Sequence, residues 1–308
     1  MATFGTLFFT ENSLMDITSP DSRLARWRIF PNVLDFIFMA VWVFLSQFIV
    51  LSIAVACGIE IPGPETLPGA DAELSLAAEP DTARTLMIIY APSMLLSIAG
   101  VVVYRFIRGG RGRLVRFSVA GLNPTLLLWG VIWMFATEVV IEPLLVLLPP
   151  LPDMVGRGFF ALLVTVVVAP VCEEVLCRGI VLESLRGKYG PVAAWIFSSL
   201  FFAAIHGHVT SMVNALIIGS IIGYICLRSK SIFSAIILHA INNALALMTI
   251  SFGFGNTPLS SFIPDGRIYA AVYGVSAFVC AVGLISLVSG LVAEHRAAKE
   301  SKSEASEQ

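Results

Sequence analysis

The chain has 308 residues, of which 57% are hydrophobic and 13% charged, against about 25% charged in a typical soluble domain. With 19 basic and 21 acidic residues, a net charge of −2 and a mean hydropathy of +0.88, the composition excludes both a soluble globular protein and a disordered one. It also argues against a nucleic-acid partner and points to an all-α, polytopic transmembrane bundle.

A spanning helix needs roughly 20 mainly apolar residues. Eight stretches approach this in chain order: 31–57, 85–107, 122–148, 157–182, 190–206, 211–228, 232–251 and 268–293. The fifth and sixth are short and close together. None shows the apolar/polar alternation of barrel strands, and no internal repeat is visible. The stretch 1–30 reads as a cytoplasmic arm without the pattern of a cleaved signal peptide. Residues 31–155 hold three helices and an acidic external loop, 58–84. Residues 156–252 form a central core, 253–293 an external loop and the last helix, and 294–308 a polar, disordered cytoplasmic tail.

Basic residues fall on alternate connections: Arg23, Arg26 and Arg28, then Arg105, Arg108, Arg111, Arg113 and Arg116, then Arg186 and Lys188, then Arg228 and Lys230. This alternation predicts that both termini are cytoplasmic in a plasma-membrane protein. The five-Arg loop reads as an anchor for anionic lipid. The five cysteines include no CxxC pair and read as apolar packing residues.

Ionisable groups inside a bilayer cost roughly 2.5–3.5 kcal/mol each and are functional candidates. Asp35 lies near a helix start and reads as a side chain that reaches back to the interface. The fourth segment holds Glu173, Glu174 and Arg178. Consecutive helix positions point about 100° apart, so the two carboxylates face different ways. Arg178, four residues on, pairs with Glu174. Glu173 is left as a carboxylate suited to general acid–base work. His206 ends the fifth segment, and His239 lies in the seventh with Asn243 four residues later.

Depth brings these groups together. Glu173 precedes Tyr189 by 16 residues and His206 follows Gly190 by 16. Both are therefore roughly 24 Å from the turn that joins their helices. Allowing for the part of the hairpin that projects from the bilayer, the pair sits roughly 10–15 Å below the cytoplasmic surface. His239 is eight residues beyond Ser231, again roughly 12 Å deep. Asn243 is one turn deeper.

The three ordered motifs, Glu173-Glu174-x-x-x-Arg178, Phe202-x-x-x-His206 and His239-x-x-x-Asn243, resemble those of the CPBP family, the CAAX proteases and bacteriocin-processing enzymes. These are also called type II CAAX prenyl endopeptidases or Abi proteins. The resemblance covers about 160–250. It implies an eight-helix intramembrane endopeptidase with its site open to the cytoplasm, acting on a membrane-associated protein or peptide. By the same resemblance Glu173 and His206 activate water, His239 and Asn243 stabilise the oxyanion, and Glu174 with Arg178 supports the helix. Glu173, His206 and His239 could instead ligate Zn2+, although the chain has no HExxH.

Glu138 and Glu142 share one face of the third segment and read as structural or cavity-lining groups. Gly219-x-x-x-Gly223 reads as a close helix contact. Two other functions compete with the peptidase. One is an ion- or proton-coupled transporter, disfavoured by the lack of a repeat. The other is a non-catalytic immunity-type membrane protein, disfavoured by the completeness of the motifs.

Overall fold

The computed structural model describes residues 30–61, 80–109, 118–149, 156–255 and 257–307. The described residues are helical, with no strand among them. The eight main helices are α1 (Val33–Ala56), α2 (Pro80–Ile107), α3 (Pro124–Leu145), α4 (Phe159–Tyr189), α5 (Pro191–Ala204), α6 (Val209–Ser229), α7 (Ile232–Ser251) and α8 (Gly266–Glu307). All but α5 are long and apolar enough to cross a membrane. Most of the loop 58–84, the whole N-terminal arm before Phe30, and Arg111, Arg113 and Arg116 lie outside the described residues.

The helix starts follow from local chemistry. Asn32 caps α1: its side chain accepts from the Asp35 N–H at 2.9 Å while Asp35 accepts from the Asn32 N–H at 2.8 Å. Asn123 caps α3 in one direction only, its side chain accepting from the Leu126 N–H, with Pro124 at the first helical position. Gly190, at φ 89°, makes the one-residue reversal between α4 and α5, a conformation that favours glycine.

α5 has 14 residues, roughly 21 Å, against a hydrocarbon core of roughly 30 Å. The turn at 205–208 therefore sits level with the middle of α4, where Glu173 lies.

α4 is not a uniform α-helix. Its backbone loosens into π-helical turns at Leu163–Val168 and Val175–Leu182, on either side of the α-helical stretch Ala169–Glu174. Such turns free backbone groups and recur at functional sites. In the first of them the Ala169 N–H donates to Val164 O. Pro170 has no N–H to offer. The Thr165 carbonyl thus has neither of its usual helical donors and is available to another helix.

Packing places the core among α3, α4, α5, α6 and α7. Gly219 makes the close approach expected of the pair, whereas a Cβ at Gly223 would meet only ordinary contacts, Trp195 Cδ1 at 3.5 Å the nearest. A Cβ at Gly219 would lie 2.5 Å from Phe202 Cδ1 and 3.1 Å from Arg178 Nη2. Gly283 of α8 similarly accepts the Trp133 ring of α3.

Three expectations change. Asp35 is not turned outward: it is 1% exposed and holds Arg108 Nε at 2.9 Å and Tyr104 Oη at 2.7 Å. A buried carboxylate needs such partners more than it needs water. Of the five arginines assigned to lipid, Arg105 is buried and donates to Ser184 Oγ, and Arg108 pairs with Asp35. Finally, α8 continues to Glu307 through the polar stretch that composition marks as disordered. Ala, Glu and Lys there are good helix formers, extending a helix that is already nucleated.

Candidate active site

Four helices supply the site. Glu173 and Glu174 come from the α-helical stretch of α4 between its two π-helical turns. His206 comes from the turn after α5, His239 and Asn243 from α7, and Tyr90 from α2.

The two carboxylates diverge as helical geometry requires. Glu174 is fully buried; its Oε1 accepts from Arg178 Nη1 at 3.0 Å and from His239 Nδ1 at 2.9 Å. Arg178 also donates to Gly219 O at 2.7 Å, and its guanidinium lies 4.2 Å from the Phe202 ring centroid. The three motifs are therefore physically joined. Arg178 of the first stacks on Phe202 of the second, and Glu174 of the first holds His239 of the third.

Glu173 turns toward His206 and the other ring nitrogen of His239. Its Oε2 is 3.9 Å from His206 Nε2 and 3.8 Å from His239 Nε2. That oxygen is buried and accepts no hydrogen bond. Its other oxygen, Oε1, accepts from the Tyr90 hydroxyl. Glu173 therefore does not lack a partner, as its sequence context suggested.

The tautomers follow from the partners. His206 Nδ1 is 2.7 Å from Phe202 O. A carbonyl only accepts, so Nδ1 carries the proton and Nε2 is the ring nitrogen turned to Glu173. His239 Nδ1 donates to the Glu174 carboxylate, which likewise turns its Nε2 to Glu173. Phe202 packs edge-on against both rings. The His206 side chain is 25% exposed and that of His239 5%, so access is from the His206 side.

Asn243 does not touch this cluster directly. Its Nδ2 donates to Thr165 O at 3.0 Å, the carbonyl left without a helical donor by the π turn and Pro170. One amide proton remains for another acceptor.

A zinc ion fits these groups poorly. Among the described residues no three His, Cys, Asp or Glu side chains are gathered to hold a metal. The separations of 3.8–3.9 Å between Glu173 Oε2 and the imidazoles exceed the roughly 3.3–3.5 Å between neighbouring ligands of one tetrahedral zinc.

Glu138 and Glu142 lie elsewhere. They line a cavity of about 470 Å³ with Asn214 and Asn242, and Glu142 Oε1 accepts from the Leu259 N–H at 3.2 Å. Asn242 of α7 lines this cavity, while its neighbour Asn243 donates to Thr165 O of α4.

Tyr90 carries no signal of cost in the sequence, because a phenol is tolerated in a membrane. Its depth is the signal that marks it. It lies 15 residues before Arg105, roughly 22 Å along α2, close to the depth of Glu173.

Residues 156–245 match the family described as type II CAAX prenyl endopeptidase Rce1-like. The match covers all three motifs and under a third of the chain. It agrees with the resemblance drawn from the motifs. No curated protein and no solved structure matches the chain.

Proposed function

We propose that the protein is an intramembrane endopeptidase that hydrolyses a peptide bond in a membrane-associated protein or peptide. The observation that carries this reading is the convergence of His206 Nε2 and His239 Nε2 on the one unpartnered oxygen of Glu173.

The side chains must part slightly to admit a water between Glu173 Oε2, which is buried, and the imidazole nitrogens 3.8–3.9 Å away; it then hydrogen-bonds to both at about 2.8 Å. Glu173 takes the proton of that water as it attacks the scissile carbonyl, with His206 orienting it. The spare amide proton of Asn243, together with the His239 ring when its Nε2 carries a proton, meets the negative charge that develops on the carbonyl oxygen. Glu173 then delivers its proton to the leaving amine. Glu174 neutralises Arg178 and, by accepting from His239 Nδ1, holds the ring with Nε2 toward the site. The low exposure of His239 strengthens each of these electrostatic contacts.

The alternation of basic loops supports cytoplasmic termini and a site that opens toward the cytoplasm, and the membrane we assign is the plasma membrane. The family match supports a prenylated CAAX peptide as the first substrate to try. The test uses purified full-length protein in lipid vesicles with internally quenched peptides, prenylated and unprenylated, ending in a CAAX sequence. Cleavage by the wild type and not by Glu173→Gln is expected. A wild type that cuts none of a panel of membrane-associated peptides overturns the reading.

A further inference from the structure

Tyr90 lies on α2, outside both the three motifs and the segment matched to the family. Its hydroxyl nevertheless donates to Glu173 Oε1. α2 is fixed against its neighbours at several levels. Arg105 donates to Ser184 Oγ of α4, Tyr104 to Asp35 of α1, and Trp42 of α1 to Leu96 O of α2 at 3.4 Å. The phenol is thus carried on a braced helix.

We propose that Tyr90 is a positioning residue for the general base, engaging one carboxylate oxygen of Glu173 so that the other, Oε2, is the one that receives the proton of water. The inference rests on the peptidase reading above. The donated O–H engages Oε1, so the carboxylate is held with Oε2 turned to the two imidazoles. The phenol keeps its own proton throughout. The proton taken from water resides on Oε2 and leaves with the amine product.

The ionisable groups around Glu173 are few. Cys172, Glu174, Cys177 and Arg178 are on its own helix, His206 on the turn after α5, His239 on α7 and Tyr90 on α2. Glu174 and Arg178 neutralise each other, and the two imidazoles face Oε2. Tyr90 is the group on Oε1.

The proposal also explains why three motifs on α4, α5 and α7 do not make the whole site: α2 supplies the donor that orients the base.

The experiment is the pH dependence of kcat/KM for the peptide cleaved by the full-length wild type, with Tyr90→Phe and with 3-fluorotyrosine placed at position 90. Loss of a charge-assisted hydrogen bond is expected to lower the rate of Tyr90→Phe by about tenfold to a hundredfold at acidic pH. The two profiles should converge at alkaline pH, and Tm should be unchanged. The fluorinated residue keeps the fold and donates more strongly, so its acidic limb should move to lower pH.

A merely structural role scales the whole profile by one factor and leaves its limbs in place. That outcome, or unchanged profiles in both variants, overturns the proposal while leaving the peptidase reading intact. A wild type without peptidase activity overturns both.

Discussion

His239 Nδ1 and Glu174 Oε1 are 2.9 Å apart, and the same oxygen lies 3.0 Å from Arg178 Nη1. One buried carboxylate thus neutralises a guanidinium on its own helix and orients an imidazole on another. Removing one member of such a set strands the others.

Glu174→Gln keeps the shape but leaves Arg178 charged and fully buried. Removing one partner of a buried pair costs roughly 3–5 kcal/mol, so this variant should lose melting temperature and expression. Adding Arg178→Met should recover part of the stability, because no lone charge remains. Activity should stay low in the double variant, since a neutral amide oxygen replaces the carboxylate to which His239 Nδ1 donates. Thermal melts and peptide turnover on both variants separate the two effects. Full activity in the stabilised double variant would contradict the orienting role.

Glu173→Gln should behave in the opposite way. The side chain is partly exposed, makes no ion pair with Arg178, and can still accept from Tyr90 through its amide oxygen. Folding should be retained. General-base catalysis contributes about 10²- to 10⁴-fold, so turnover should fall by at least about 100-fold. The assignment of the base is wrong if Glu173→Gln turns over like the wild type while a folded Glu174→Gln is inactive.

Two glycines give a paired test of packing. Gly219 lies against Phe202 and Arg178, whereas a Cβ at Gly187 of α4 meets nothing within 4 Å. Alanine raises helix propensity by about 1 kcal/mol at either position. At Gly219 the added carbon must displace the buried Phe202 ring, and overpacking costs about 1–3 kcal/mol. Gly187→Ala should therefore raise the melting temperature slightly, while Gly219→Ala should lower it and reduce activity through the displaced Phe202. Equal effects at the two sites would show that Gly219 is not needed for the contact.

The bundle and the meeting of its three motifs were legible because both depend on distance along the chain. Apolar length marks the helices, and residue counts from Gly190 and Ser231 place Glu173, His206 and His239 at one level. Rotation about a helix axis is not written in such counts, and that is where the reading fell short. Asp35 was free to turn outward by depth alone, but the capping interaction with Asn32 and the approach of Arg108 turn it inward. The π-helical turns of α4 had no signal except Pro170. They rotate the ends of the helix relative to Glu173 and release the Thr165 carbonyl that binds Asn243. The same limit hid Tyr90, whose depth was countable but whose direction was set by α2 packing.

Metal removal distinguishes the two chemistries open to a Glu and His pair. A zinc enzyme needs its ligands drawn within about 2.0–2.2 Å of one ion, and loss of the ion abolishes its activity. Here Glu173 Oε2 stands 3.9 and 3.8 Å from the two imidazole nitrogens, and its other oxygen is engaged by Tyr90. His206 and His239 each spend Nδ1 on an acceptor in the protein, which leaves Nε2 in place with or without an ion. Activity should therefore survive exhaustive treatment with a strong chelator, and the purified protein should hold well below one equivalent of zinc by elemental analysis. His206→Ala should lower turnover without changing the metal content. If instead chelation abolishes cleavage, zinc alone restores it, and His206→Ala loses a stoichiometric metal, Glu173 is a ligand first and direct water activation by its carboxylate is ruled out.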